Sequence, residues 1–258
     1  MPAGRSSAVV AVGLVKRFGR TEAVSGLDLD VPSGSLFGLV GPNGAGKTTT
    51  LRMVTGLLRP DGGRAWVDGV EVWGDPREAK RRIGVLPEDL ALFDRLSGRQ
   101  LLTYTGLLRG LAEDVVEARA GSLVDVLGLR EAADRLVIDY SHGMRKKIAL
   151  AAALLHAPRV LFLDEPFEAI DPISARTIRA VLERHLDAGG TVVLSSHVME
   201  LVERLCDRVG VVHGGRIVAT GPIDDLRGGG SLEDALVELL GADVATGESL
   251  EWLGTSFG

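Results

Sequence analysis

The sequence contains one cysteine, Cys206. No internal disulfide can brace the fold, and a reducing compartment, the cytoplasm, is the expected setting. No stretch reaches the ~18 apolar residues needed to cross a bilayer, so any membrane role is expected to use another chain. The opening MPAGRSSAVVAVGLVKRFGR lacks an apolar core of signal-peptide length, because Gly13, Lys16 and Arg17 interrupt it. Positive charge is not in excess either: the net charge of −6 argues against a nucleic-acid binder carried by bulk charge. Internal repeats and low-complexity tracts are absent from the sequence.

What is present is a chain of 258 residues, 45% hydrophobic, enough for one sizeable domain or a core with a subdomain. Short apolar runs alternate with helical patterns, which predicts an α/β fold with a largely parallel sheet. The strongest buried-strand candidates are LFGLV (36–40), RVLFLD (159–164) and TVVLSS (191–196). Each ends at polar residues, and in open α/β sheets ligands sit at the carboxyl ends of the strands. Strand-like pieces near 8–12, 64–67 and 70–73, separated by DGG and DG turns, suggest a small antiparallel sheet. From 97 to about 155 helical periodicity dominates, predicting a helical subdomain. After Gly221, SLEDALVELL behind a capping Ser231 predicts one short helix followed by a loose end.

The most informative stretch is GPNGAGKT, which fits the phosphate-loop pattern and sits between the strand LFGLV and the helical run TTTLRMVTGLL. Its residues Gly41, Pro42, Asn43, Gly44, Ala45 and Gly46 let the backbone turn N–H groups toward phosphate oxygens at a helix N-terminus. Lys47 would neutralise the β- and γ-phosphates, and Thr48, followed by Thr49, would ligate Mg²⁺. A second carboxylate source lies at the end of RVLFLDEP. Successive residues there point in different directions, so Asp164 can serve the metal while Glu165 faces the γ-phosphate as general base. Taken alone, Asp-Glu-Pro after a strand is also a helix-start signal.

With these motifs in this order, residues 8–220 resemble an ATP-binding cassette (ABC) ATPase subunit. The resemblance implies a P-loop NTPase (RecA-like) α/β core with an antiparallel β-subdomain and a helical subdomain. The domain would occupy 1–221, its helical part about 89–157, with a short extension at 222–258. It also implies ATP and Mg²⁺ as ligands. Phe18 would stack on adenine, the alternative being a core Phe of a β-strand. The segment IGVLPEDLALF resembles the loop that joins the ATPase core to the helical subdomain, and its Glu88 stands where the family usually has a metal-ligating Gln. His197 takes the place of the switch histidine that contacts the γ-phosphate. Asp171, in FEAIDP, matches an acid at the dimer interface, and the same residue could simply cap a helix.

YSHGM falls at the family's signature motif, with Ser141, His142 and Gly143 in its central positions. In the family two cassettes pack head to tail, and each signature loop closes over ATP held by the other subunit. The resemblance therefore implies a second ABC ATPase subunit and integral membrane permease subunits as partners, with residues near 89–105 forming the groove for a permease helix. It places the chain at the inner face of the membrane and resembles the ABC-2 type, drug-exporting branch, with no nucleic acid expected. Two alternatives stay open: a soluble cassette ATPase acting on ribosomes or DNA, and a nucleotide-binding regulator that no longer hydrolyses ATP.

Overall fold

The computed structural model describes residues 7–240. The first six residues, and the loose end expected after the last helix, lie outside them.

Two long strands open the chain, β1 (Ser7–Phe18) and β2 (Thr21–Pro32), followed by β3 (Leu36–Val40) and α1 (Lys47–Val54). β4 (Gly62–Val67), β5 (Val70–Glu71), α2 (Pro76–Arg82) and β6 (Ile83–Leu86) come next. A helical stretch holds α3 (Gly98–Leu108), α4 (Glu113–Val126) and α5 (His142–Leu154). Then β7 (Val160–Asp164), α6 (Pro172–Asp187), β8 (Thr191–Ser196) and α7 (Met199–Leu205) alternate. The hairpin β9 (Arg208–His213) and β10 (Arg216–Pro222) leads to α8 (Ile223–Arg227) and α9 (Leu232–Leu240).

The strands form two sheets. One is antiparallel, in the order β2-β1-β4-β5; the other has six strands in the order β10-β9-β3-β8-β7-β6, parallel except for β10. Period-two alternation explains why the central strands read as unbroken apolar runs: both faces of the six-stranded sheet are covered. Leu36, Val40, Leu161, Leu163, Val192 and Leu194 point into a core shared with α3, α4, α5, α6 and α7. Phe37, Leu39, Val160, Phe162 and Val193 point the other way, into a core shared with α1, α2 and the antiparallel sheet.

This division positions the site. The connection after β3 runs to α1 on one face, whereas those after β7 and β8 run to α6 and α7 on the other. A crevice therefore opens at the carboxyl ends of neighbouring β3 and β8, the switch point where open α/β sheets take their ligands.

Four strands are not among those the sequence predicts: β2, β6, β9 and β10. Ser25 and Gly26 interrupt the alternation of β2, and its pairing with β1 carries several register shifts, which hides the period. Ile83–Leu86, the start of the segment expected to be a loop, pairs with β7 as an edge strand, so that loop begins at Pro87. Gly210 breaks the β9 pattern because a Cβ there would lie 2.9 Å from the Phe37 ring. The tail departs from expectation as well, with two helices, α8 and α9, in place of one. Ser231 Oγ accepts from Asp234 N at 3.0 Å, as its capping role predicts.

Candidate functional site

The loop 41–46 leaves β3 and turns into α1. Gly46, at the N-cap, has φ 108°, and a Cβ there would come within 2.6 Å of the Ala23 carbonyl. Having no side chain, Gly46 leaves the first-turn N–H groups of α1 uncapped, and these groups with the helix dipole attract anions. Lys47 is buried, and its Nζ donates to the carbonyls of Gly41 at 2.7 Å and Pro42 at 3.2 Å. Burial pulls its pKa down, and the charges of Glu165, Asp164 and Glu88 oppose that pull.

A cleft of about 460 Å³ opens over this loop. Phe18, Asn43, Gly44, Ala45, Gly46, Lys47, Thr48, Thr49, Glu88, Glu165 and His197 line it together, although they come from five separate segments. Phe18 is 52% exposed at the end of β1, so it is not a core residue. Its ring stands at the cleft edge with Lys16 Nζ 5.8 Å from the centroid.

Three oxygen-bearing side chains meet at the head of α1. Thr48 Oγ1 lies 3.2 Å from Asp164 Oδ1 and 3.5 Å from Glu88 Oε2. Burial raises the Glu88 pKa, as do the charges of Asp164, Asp89, Glu168 and Glu165. Glu165 is held on several sides. His197 Nδ1 is 2.9 Å from its Oε1, a donor contact when that nitrogen carries the proton. Its N–H donates to Ser195 Oγ at 3.0 Å, and the Ser195 hydroxyl donates to Asp164 Oδ1. A buried carboxylate with an imidazole at hydrogen-bond distance, beside an anion-binding loop, has the form of a general base waiting on a phosphoryl group.

Ser141, His142, Gly143 and Asp171 do not line this cleft. Ser141 caps α5, accepting from Met144 N at 3.3 Å, and its side chain is exposed. Asp171 caps α6, accepting from Ile173 N at 3.0 Å and Ser174 N at 2.9 Å. A hydrogen bond from the Ser174 hydroxyl first, and these backbone bonds after it, hold its carboxyl below the usual range. Both local capping readings are thus real, and the two caps adjoin. A Cβ on Gly143 would lie 3.1 Å from Ser174 Oγ and 3.2 Å from Asp171 Oδ2, so only a glycine fits there without displacing them.

The sequence motifs miss Ala23 and Glu168, which also line the cleft, and Ser195 and Lys146, which support it. Lys146 Nζ donates to the carbonyls of Glu165 and Glu168 at 2.7 Å each. The available signals were weak: a polar residue near the end of a buried strand, and a lysine on an apolar helix.

The profile of the ABC transporter family matches residues 24–168. The daunorubicin/doxorubicin resistance ATP-binding protein DrrA of Streptomyces peucetius is 41% identical over 85% of this chain and 67% of its own length. The linearmycin resistance ATP-binding protein LnrL of Bacillus subtilis is 37% identical over 84% of this chain and 70% of its own. Among solved structures, the ATP-binding subunit of an ABC transporter superposes with a TM-score of 0.85 at 28% identity, covering 91% of this chain and all of that one.

Proposed function

Because this chain belongs to the ABC transporter family and is one of its ATP-hydrolysing subunits, we propose that it drives export through separate membrane subunits by closing and opening a head-to-tail pair of cassettes at the inner face of the membrane. Among the described residues no helix is long and apolar enough to cross a membrane, and the naming of the relatives as ATP-binding proteins supports a cargo path supplied by other subunits. The relatives named for drug resistance support the outward direction. Phe93 and Tyr104, 55% and 46% exposed and in edge-to-face contact at 5.2 Å, offer an aromatic patch for a cytoplasmic helix of the permease.

ATP enters the cleft with adenine on Phe18 and its phosphates on the amides of 43–49 and on Lys47. Thr48, Glu88 and Asp164 hold Mg²⁺; their converging hard oxygens fit that ion. When bound, Mg²⁺ neutralises charge on the phosphates. Glu165 takes a proton from the attacking water, and His197 fixes the direction of its carboxylate. Ser141 and Gly143, with the N-terminus of α5, complete the partner's site, and Asp171 lies at the same interface. Their separation from their own cleft supports that reading.

The observation that carries the hydrolytic assignment is the 2.9 Å contact of Glu165 with His197 inside the phosphate-loop cleft. Glu165→Gln tests it. The variant is expected to bind ATP like the native chain, to release phosphate about a hundredfold more slowly, and to accumulate as a dimer on size exclusion. A monomer with native turnover would remove Glu165 from the role.

A further inference from the structure

Lys146 is 3% exposed, near the start of α5. An ammonium group is costly to bury unless its donors are satisfied, and here they meet two carbonyls, of Glu165 and Glu168, on a segment far along the chain. That segment is unusual in itself. Glu165 and Ala169 both have left-handed φ, 46° and 52°. Residues with a Cβ stay in that region only where their surroundings over-determine them. β7 ends at Asp164, so its ladder does not hold the Glu165 carbonyl. Ser195 holds the Glu165 N–H and His197 its carboxylate, while the Glu165 carbonyl accepts from Lys146 Nζ at 2.7 Å and, at the longer distance of 3.3 Å, from the Glu168 N–H.

We propose that Lys146 is a positioning residue for hydrolysis: by clamping the backbone at Glu165 and Glu168, it ties the catalytic carboxylate to the helix that begins at Ser141. The inference rests on the assignment of Glu165 as base. Lys146 lies five residues beyond Ser141, about 7 Å along the helix axis. The head of α5 faces the partner's nucleotide, while this later turn grips the subunit's own catalytic loop. A shift of α5 when the partner's ATP engages Ser141 therefore moves Glu165, and the two hydrolytic sites become coupled through one rigid element.

The test uses the full chain with Mg²⁺ and ATP. Lys146→Met keeps the length of the side chain and removes its donors; Lys146→Gln restores two donors without the charge. Lys146→Met is expected to lower kcat at least about tenfold, with affinity for a fluorescent ATP analogue within about twofold of native and a reduced Hill coefficient in ATP. Lys146→Gln is expected to recover kcat to within about threefold of native. The clamp is overturned if Lys146→Met turns over like the native chain, or if Lys146→Gln is as slow as Lys146→Met while both bind ATP normally. Joint loss of ATP binding and turnover in both variants would assign Lys146 to folding alone, which also overturns it. An unchanged Hill coefficient would remove the coupling between sites. Glu165→Gln run alongside separates the two assignments: native turnover in that variant defeats the base, whereas a slow Glu165→Gln beside a native-like Lys146→Met defeats only the clamp.

Discussion

His156, just past the end of α5, offers a test of how the two halves of the site are joined. Its Nε2 lies 2.9 Å from the Ile83 carbonyl, so it fastens the end of α5 to β6, the strand that leads to Glu88. Its Nδ1 is buried with no hydrogen-bond partner among the described residues. Burial first, and the charge of Arg109 second, push its pKa from 6.5 down to about 4. The unfolded chain therefore binds more protons than the native one between about pH 6.5 and 4, and stability falls as pH drops through that window. Linkage over these values gives a loss of about 2 kcal/mol between pH 7 and pH 5, levelling near about 3 kcal/mol below pH 4. Other groups titrate in the same range, so the measurement is a difference. Urea denaturation at pH 7 and pH 5 is compared for the native chain and His156→Gln, which keeps a donor for Ile83 but cannot titrate. The native chain is expected to lose about 2 kcal/mol more than the variant. Equal losses would refute the claim that His156 is held neutral at this junction.

Lys47→Ala removes the lysine that lines the cleft and should weaken ATP binding about ten- to a hundredfold by equilibrium titration; unchanged affinity would undo the phosphate-loop assignment. Phe18→Ala should raise the Kd for ATP about three- to tenfold while Phe18→Tyr stays near native, because stacking uses the ring face. Ser141→Arg should abolish dimer-dependent phosphate release and spare ATP binding by the monomer, and hydrolysis that survives would leave Ser141 as a helix cap only.

Much of the site was legible because its chemistry is local in sequence. A phosphate loop needs its glycines, Lys47 and Thr48 within a few residues of each other between a strand and a helix, and that spacing survives as a string. The central strands were legible for a related reason: burial on both faces leaves a plain apolar run. β2 and β9 were not, because a glycine or a register shift erases the alternation while pairing partners far along the chain still enforce the strand. Phe18 was ambiguous until the fold set it at the cleft edge, since strand periodicity alone does not say which end of a strand runs out of cover. The loop expected at 83–86 became an edge strand because β7 was available to pair with it, which is a property of the sheet and not of those four residues.

The sequence by itself determined which groups can meet a nucleotide: a lysine and threonine on a glycine-rich turn, two adjacent carboxylates after a strand, and a histidine after another. Those are matters of covalent order and short-range geometry. Only the tertiary structure decided that His197 meets Glu165 and that Glu88 turns toward Thr48. It also placed Ser141 and Gly143 outside the cleft while Lys146, on the same helix, reaches the backbone at Glu165 and Glu168. Each of those contacts depends on which strands are neighbours and which face of the sheet a helix covers. That choice is made by burying two apolar cores at once, and no single segment carries it.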